Sequence, residues 1–216
     1  STQVLVRVKA QMTQGGSGAT WDVTVRDNTQ SDAIFALETP SFSTGPAAIT
    51  RDVQAPTGWD GTRYASTRVA APFAVLDTVY AAQAKMLSVA PATAFPALKL
   101  YWSANNAPAV GNPALGQIGT TSFTMSNGAR AIYVLGKEKV DTDEYNASVV
   151  AHEWGHYYQS AFSRDDSPGG SHATTDRLDR RVAFSEGWGN AWSGIALERS
   201  NYTDSVGPGQ GPGLNI

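Results

Sequence analysis

The sequence predicts an α+β fold, and three observations support this prediction. Short runs of alternating apolar and polar residues in the first 40 positions are typical of β-strands. Three later stretches have the composition or spacing of α-helices. An Asn127-Gly128 pair between two strand-like runs is the strongest short signal for a β-hairpin. With 216 residues, the chain suits one domain, or one domain with a small appendage.

The beginning of the chain predicts a small β-rich segment. Three runs in it have strand patterns: residues 3–9, 20–27 and 32–38. We expect these runs to form a small antiparallel sheet. Residues 40–64 are rich in proline and glycine and predict an irregular connection. We therefore expect a β-rich N-terminal segment over residues 1–65 and a second domain over residues 66–216.

The middle of the chain predicts a helix, a strand and a hairpin. Residues 69–89 are alanine-rich with apolar residues at helical spacing. Pro72 falls in the first turn of this helix, where a missing N–H has no cost. Residues 97–103 predict a strand, and two further strands, within 116–124 and 129–136, flank the hairpin turn.

The last third of the chain predicts two helices joined by a polar loop. Asp141 followed by Glu144 resembles a capping box, which predicts a helix from there to about residue 162. Residues 177–200 predict a second helix despite Gly187 and Gly189. The two helices carry the residues with the clearest chemistry.

Charge and composition exclude several function classes. The net charge is −3 and no basic block occurs, so nothing favours a nucleic acid or an anionic membrane as partner. No apolar run approaches the roughly 20 residues of a membrane span. The absence of cysteine excludes disulfides, cysteine zinc sites and a cysteine nucleophile. Abundant glycine, serine and threonine and frequent turn signals are typical of exported proteins, so we expect a secreted, cell-surface or periplasmic location.

The stretch "HEWGH" contains two of the three histidines of the chain. His152 and His156 are four residues apart, so on a helix they lie on one face and can bind one ion. Imidazole nitrogens are preferred ligands of zinc. Glu153 projects about 100° around the helix from His152, where it can reach a water held by the ion. The alternative is a pair of hydrogen-bonded or exposed histidines with no metal.

A catalytic zinc usually has three protein ligands, so a third ligand is needed. His172 and Glu186 are the candidates downstream. Glu186 lies among aromatic residues and beside glycines, and coordination to a cation would remove the cost of burying its carboxylate. It could instead be exposed while the aromatics pack elsewhere. Asn190 lies four residues later and either supports a liganding histidine or is a plain polar helix residue.

The pairing of "HEWGH" with the glutamate of "SEGWGN" resembles the gluzincin metallopeptidases, of which thermolysin is the familiar member. The resemblance covers about residues 70–200. The sequence that flanks the motifs is similar to that of exported or lipid-anchored bacterial proteins of this type. It implies zinc ligands at His152, His156 and Glu186, and a general base at Glu153. Asn190 occupies the position where the family has an acidic residue that supports a histidine.

The resemblance also implies a fold and a substrate-binding strand. The expected fold is a thermolysin-like N-terminal catalytic subdomain, in which a twisted antiparallel sheet packs on an active-site helix and a glutamate-bearing helix. An edge strand over residues 118–124 would hold extended substrate by backbone pairing, through residues that include Thr120, Thr121 and Ser122. The function implied is that of a zinc-dependent endopeptidase acting on a protein or peptide.

One departure from the family concerns the oxyanion donor. Thermolysin-type gluzincins carry a helical C-terminal subdomain that supplies a His or Tyr for this role. Here either the fold is minimal or the chain is part of a longer protein. Within the chain, His172 is the candidate stand-in, while Tyr157 and Tyr158 are expected to pack or face solvent. A binding or surface module with a vestigial or structural zinc site is the alternative function, and zinc hydrolysis of a non-peptide bond is a third.

The polar loop over residues 163–180 contains side chains that could bind Ca²⁺. It contains four aspartates: Asp165, Asp166, Asp176 and Asp179. Calcium sites use such oxygen ligands, but the spacing does not match an EF-hand loop. Solvated charges and helix caps are therefore favoured over a Ca²⁺ site. The sequence indicates no particular oligomeric state.

Overall fold

The computed structural model describes residues 2–173 and 175–208. Within these residues the chain forms three α-helices, which are α1 (Ala71–Leu87), α2 (Ala147–Phe162) and α3 (Arg180–Leu197). The strands are β1 (Gln3–Val4), β2 (Arg7–Lys9), β3 (Gln11–Gln14), β4 (Trp21–Asp27), β5 (Ala33–Ile34), β6 (Ala36–Glu38), β7 (Phe42–Ser43), β8 (Leu98–Trp102), β9 (Ser122–Ser126), β10 (Ala129–Val134), β11 (Gly136–Lys137) and β12 (Asp141–Thr142). The α+β class predicted from the sequence is confirmed.

The central sheet is mixed, with strand order β3-β4-β8-β10-β9 and β5 paired to β4. The pairs β4–β8 and β8–β10 are parallel, whereas β3–β4 and β9–β10 are antiparallel. The prediction of an antiparallel sheet is therefore wrong for the central strands β4, β8 and β10. Parallel neighbours need a long crossover, and α1 lies in the one that joins β4 to β8. Val23, Thr24 and Val25 are consecutive buried residues, as in a strand covered on both faces.

The three predicted strands of the N-terminal segment do not form one sheet of their own, because β3, β4 and β5 belong to the central sheet. This corrects the expectation of a small antiparallel sheet within residues 1–65. Two short antiparallel ribbons, β1–β7 and β2–β6, lie outside the central sheet. The predicted strand over residues 32–38 is divided into β5 and β6. Residues on both sides of position 65 thus share one sheet and one hydrophobic core.

Helix α1 agrees closely with the prediction, and Pro72 lies in its first turn. Its buried face contains Val75, Val79 and Ala82, each with no exposed surface. These residues recur at the three- and four-residue spacing of one helix face. The face packs against β4, α2 and α3, so α1 supports the two helices that carry the candidate site.

The predicted hairpin is confirmed as β9–β10. Asn127 and Gly128 both have left-handed backbone angles, with φ of 50° and 77°, as a two-residue primed turn requires. Strand β9 lies at the edge of the sheet and contacts α2. The expected edge strand over residues 118–124 begins later, at Ser122.

Helix α2 begins at Ala147, not at Asp141, so the capping-box prediction is wrong. Asp141 pairs with Lys137 between β11 and β12. Glu144 is buried, where it forms an ion pair with Arg68 and accepts a hydrogen bond from Trp102 Nε1 at 3.3 Å. The need to pair this buried carboxylate overrides the local capping pattern. The helix ends at Phe162, as predicted.

Helices α2 and α3 pack closely along two glycines. Asp179 caps α3 by accepting a hydrogen bond from the amide N–H of Arg181 at 2.8 Å. A Cβ atom added to Gly155 of α2 would lie 3.3 Å from Gly189 Cα of α3. Beside this contact the rings of Trp154 and Trp192 stack with their centroids 5.4 Å apart. This packing brings the two motif-bearing faces together.

Candidate metal centre

The structure brings His152, His156 and Glu186 together between α2 and α3. The two histidine Nε2 atoms are 2.9 Å apart. Glu186 Oε2 lies 3.1 Å from His152 Nε2, and Glu186 Oε1 lies 3.5 Å from His156 Nε2. The three ligand atoms all lie within 4.8 Å of one another, so the group could hold a metal ion. Glu186 therefore faces the paired rings.

Hydrogen bonds fix how both rings present their Nε2 atoms. Asn190 Oδ1 lies 2.9 Å from His152 Nδ1, and an amide oxygen only accepts, so Nδ1 carries the proton. Ser185 Oγ donates to Gln159 Oε1 at 2.8 Å and can therefore accept from His156 Nδ1 at 3.1 Å. Both Nε2 lone pairs are then free for a metal. The sequence indicated Asn190 but not Ser185 or Gln159, which carry no motif signal.

Gly189 is required by the position of the His152 ring. A Cβ atom at residue 189 would lie 2.7–2.8 Å from three atoms of that imidazole. This explains a glycine inside α3, where it otherwise costs about 1 kcal/mol relative to alanine. At Gly187 an added Cβ meets no heavy atom within 4 Å. Of these two glycines, only Gly189 is therefore approached closely by another group.

Glu153 lies beside the cluster and contacts the edge of the sheet. Its Oε2 accepts a hydrogen bond from the amide N–H of Phe123 at 2.6 Å. Burial raises the pKa of Glu153 above its ordinary value, while the charges of His152 and His156 and the Phe123 amide oppose that rise. A carboxylate with a raised pKa is better suited to exchange protons near neutral pH.

Glu186 has the opposite electrostatic environment. Burial alone would raise its pKa, but hydrogen bonds and charges from His152 and His156 lower the pKa well below its ordinary value. The carboxylate therefore stays ionised at neutral pH. An ionised carboxylate with two imidazoles is a donor set that zinc accepts.

Two members of the cluster, His156 and Glu186, line an open cleft of about 660 Å³ together with Glu153. The side chains of His156 and Glu186 are 14% and 25% exposed, so a small molecule can reach them. One wall contains the chain leading into β9, and the other is the loop over residues 165–172. His172 lines this second wall, with Nε2 3.4 Å from Glu186 Oε2. It lies close to the metal-binding group but is not a member of it.

Thr120, Thr121 and Ser122 all line the cleft. The Thr121 side chain is turned inward, where it donates to Asp143 and accepts from the Leu135 amide at 2.9 Å. Its hydroxyl is therefore occupied by the protein, which leaves only its backbone for a ligand. Ser122 begins β9, opposite Tyr133 of β10.

Three tyrosines near α2 and α3 differ in their environments. Tyr157 is fully buried and donates to Pro96 O at 2.6 Å, and Tyr158 stacks on Trp192 with ring centroids 6.1 Å apart. Both therefore pack, as expected. Tyr202 was not indicated by the sequence, because it follows α3 without any motif. Its ring meets His152 edge to face, with centroids 6.1 Å apart.

A second group of metal-ligating side chains comprises Asp141, Asp143 and Asp204. In the part of the chain that the structure describes, none of the three has a Lys or Arg partner within 4 Å. Burial raises the pKa of Asp141 to about 6 and that of Asp143 to about 7. The sequence did not indicate this group, because Asp204 is distant from the other two along the chain.

The four loop aspartates considered for calcium do not form such a group within the described residues. Asp179 caps α3, Asp166 pairs with Arg164 and Asp176 accepts the Ala173 amide N–H at 2.8 Å. These roles agree with the favoured reading of caps and solvated charges. Asp165 differs from the other three because it lines the cleft.

No protein-family model, curated protein or solved structure matches the chain. The resemblance to gluzincins therefore depends on the two motifs and on how their side chains are arranged. Among the described residues, no helix combines the length and apolar character needed to cross a membrane.

Proposed function

We propose that this protein is a zinc-dependent endopeptidase that hydrolyses peptide bonds of an extended protein or peptide segment. One observation carries the proposal: His152, His156 and Glu186 converge, and His156 and Glu186 line an open cleft together with Glu153. A histidine pair packed for structural reasons has no need of a third ligand or of an open approach from solvent.

The residues present fit zinc. The two imidazoles can offer Nε2 lone pairs to a metal, because Asn190 and Ser185 engage the opposite ring nitrogens. Glu186 supplies an ionised carboxylate, which completes a three-ligand set of the kind used in catalytic sites. Bound there, Zn²⁺ would polarise a substrate carbonyl and lower the pKa of a water molecule.

Glu153 is the general base in this proposal. It accepts a proton from the attacking water and then delivers it to the leaving amine. Its position on α2, one residue after His152, keeps it out of the ligand set but beside it. The Phe123 amide, which donates to Glu153 at 2.6 Å, fixes the direction of the carboxylate.

The walls of the cleft supply substrate binding. Strand β9 lies at the sheet edge, so its outer backbone groups can pair with an extended peptide. His172, on the opposite wall, lies 3.4 Å from Glu186. Its Nδ1 donates to Gly170 O at 3.0 Å, so in its charged form it can donate from Nε2 to the oxygen of the scissile carbonyl as negative charge develops there. Thr120, Thr121 and Ser122 would contribute backbone groups at the entrance to β9.

The test combines metal content with proteolysis. Purified protein supplied with zinc should retain about one ion per chain and cleave casein or a peptide library. Glu153→Gln should retain the ion and lose about 10²- to 10⁴-fold in kcat. If Glu153→Gln cleaves as fast as the wild type while both contain zinc, the proposed mechanism is wrong.

A binding module with a structural zinc site is the second candidate. The hydrogen bond from the Phe123 amide gives Glu153 a structural use that requires no catalysis. Zinc bound at about one ion per chain, with no cleavage of any protein or peptide offered, would favour this module. Hydrolysis of a non-peptide bond would instead appear as activity on ester or amide substrates that lack a peptide backbone.

A further inference from the structure

We propose that Asp165 gives the cleft a preference for substrates with a lysine or arginine near the bond that is cleaved. This inference rests on the proposed peptidase function and names the class of peptide that the same site selects. It comes from the distribution of charge along the cleft.

The described residues that line the cleft include three carboxylates and no lysine or arginine. Glu186 is occupied by the two histidines, at 3.1 and 3.5 Å. Glu153 is engaged by the Phe123 amide at 2.6 Å. Asp165 is therefore the one carboxylate of this lining that neither the metal-binding group nor the sheet edge uses.

Asp165 has no counter-ion in the described part of the chain. Its Oδ1 accepts the Ser167 amide N–H at 3.1 Å, and no Lys or Arg nitrogen lies within 4 Å. The next residue, Asp166, is neutralised by Arg164 at 2.8 Å. Two neighbouring aspartates thus differ: one is paired away from the cleft, and the other stands unpaired on its wall.

Asp165 lines the same cleft as His156 and Glu186. Its negative charge therefore borders the space that a bound peptide would fill. A cationic side chain near the scissile bond would experience the same charge as attraction.

The chain leading into β9 contributes no charged side chain of its own to the cleft. Its side chains include Val110, Ile118 and Phe123, which are apolar, and Val110 is 96% exposed. A peptide lying between the walls therefore has apolar side chains on one side and Asp165 on the other. A substrate lysine or arginine directed at the loop wall gains an ion pair there, and an aspartate or glutamate is repelled.

The experiment uses sets of quenched fluorescent peptides that differ at one position. Within each set, the peptides have Lys, Gln or Glu at the varied position. Separate sets vary each of the three residues on either side of the cleaved bond. The wild type should show kcat/KM about two- to fivefold higher for Lys than for Gln at one position, the range expected for an exposed ion pair. The ratio should decrease at high salt, because exposed charges are screened.

Asp165→Asn should bring the Lys-to-Gln ratio to about 1, whereas the matched variant Asp166→Asn should keep the wild-type ratio. Equal rates for Lys and Gln at every position in the wild type, or a preference that survives in Asp165→Asn, would overturn the inference while leaving the peptidase function intact. Binding of the same peptides to Glu153→Gln separates the two proposals. Selective binding of the Lys peptides without cleavage by the wild type would contradict the peptidase and support the charge preference.

Discussion

The described part of the chain contains two groups of three side chains that could hold a metal ion, and their protonation behaviour is opposite. His152, His156 and Glu186 form one group, and Asp141, Asp143 and Asp204 form the other. In the first, two imidazoles hold the pKa of the carboxylate well below its ordinary value. In the second, burial without a cationic partner raises the pKa of Asp143 to about 7. The comparison shows that charge balance, and not the number of ligand atoms, sets the protonation state of a buried group.

The two groups also differ in what surrounds them. In the first, His156 and Glu186 line a cleft, and both imidazoles have hydrogen-bond partners at Nδ1. In the second, Thr121 and Asn146 donate to Asp143, which is only 2% exposed. These donors partly offset the cost of burying a carboxylate. The first group could therefore hold an ion, whereas burial in the second favours retained protons.

The largest expected effect is the loss of zinc when a ligand of the first group is removed. His156→Ala should reduce the zinc content from about one ion per chain to near zero and abolish proteolysis, because two ligands rarely retain zinc. Asp143→Asn is the matched control and should keep both. Zinc measured by plasma mass spectrometry after dialysis decides the matter. Retention of zinc in His156→Ala, with loss in Asp143→Asn, would reverse the assignment of the two groups.

The next effect is a pH dependence of stability that originates in the aspartate group. Because the pKa of Asp143 in the folded protein, about 7, lies above that of an unfolded aspartate, the folded state binds more protons. This contribution is complete below about pH 4 and is lost as the pH rises towards 7, with an upper bound of about 4 kcal/mol.

Urea unfolding between pH 5 and 8 measures this dependence. The free energy of unfolding should fall with pH in the wild type and fall less steeply in Asp143→Asn, which cannot ionise. Asp52→Asn, at an exposed position, should follow the wild type. If the Asp143→Asn curve is as steep as that of the wild type, Asp143 does not carry the retained proton.

The sequence predicted the first group and missed the second for a physical reason. His152 and His156 are four residues apart on a helix, so their proximity follows from helix geometry alone. Glu186 was found because a lone carboxylate among aromatic residues needs a partner. Asp204 approaches Asp143 only because the chain after α3 returns beside the start of α2, where Ser205 Oγ donates to Asn146 at 3.0 Å. No local sequence pattern predicts that the chain after α3 lies beside the start of α2.

The same distinction applies to the fold. The hairpin, α1 and the end of α2 were predicted because turn chemistry and helical spacing are local. The parallel pairs β4–β8 and β8–β10 were missed, because strand direction depends on the crossovers between strands. The start of α2 was misplaced because Glu144 pairs with Arg68, a residue distant along the chain.

A smaller effect is expected from two glycines of α3 that differ in their surroundings. Gly189→Ala places a methyl group where the His152 ring lies, so we expect about 1–3 kcal/mol of destabilisation and weaker zinc binding. Gly187→Ala enters open space and should instead stabilise the helix by about 1 kcal/mol. Thermal unfolding and zinc titration of both variants test the pair. Equal effects of the two substitutions would mean that His152 does not occupy the space beside Gly189.

The smallest effect concerns the hydrogen bonds behind the rings. Asn190→Ala removes the acceptor of the His152 Nδ1 proton, which lies 2.9 Å away. Supporting groups of this kind typically contribute about 10- to 100-fold in metal affinity, so a loss in that range is expected in a competitive chelator titration.

Asn190→Asp restores an acceptor with a full negative charge, which raises ligand basicity, and should bind zinc at least as tightly as the wild type. If Asn190→Ala and Asn190→Asp weaken zinc binding equally, the side chain at position 190 acts through α3 packing and not through the imidazole proton. The aspartate variant is therefore informative, because it changes charge while nearly preserving shape.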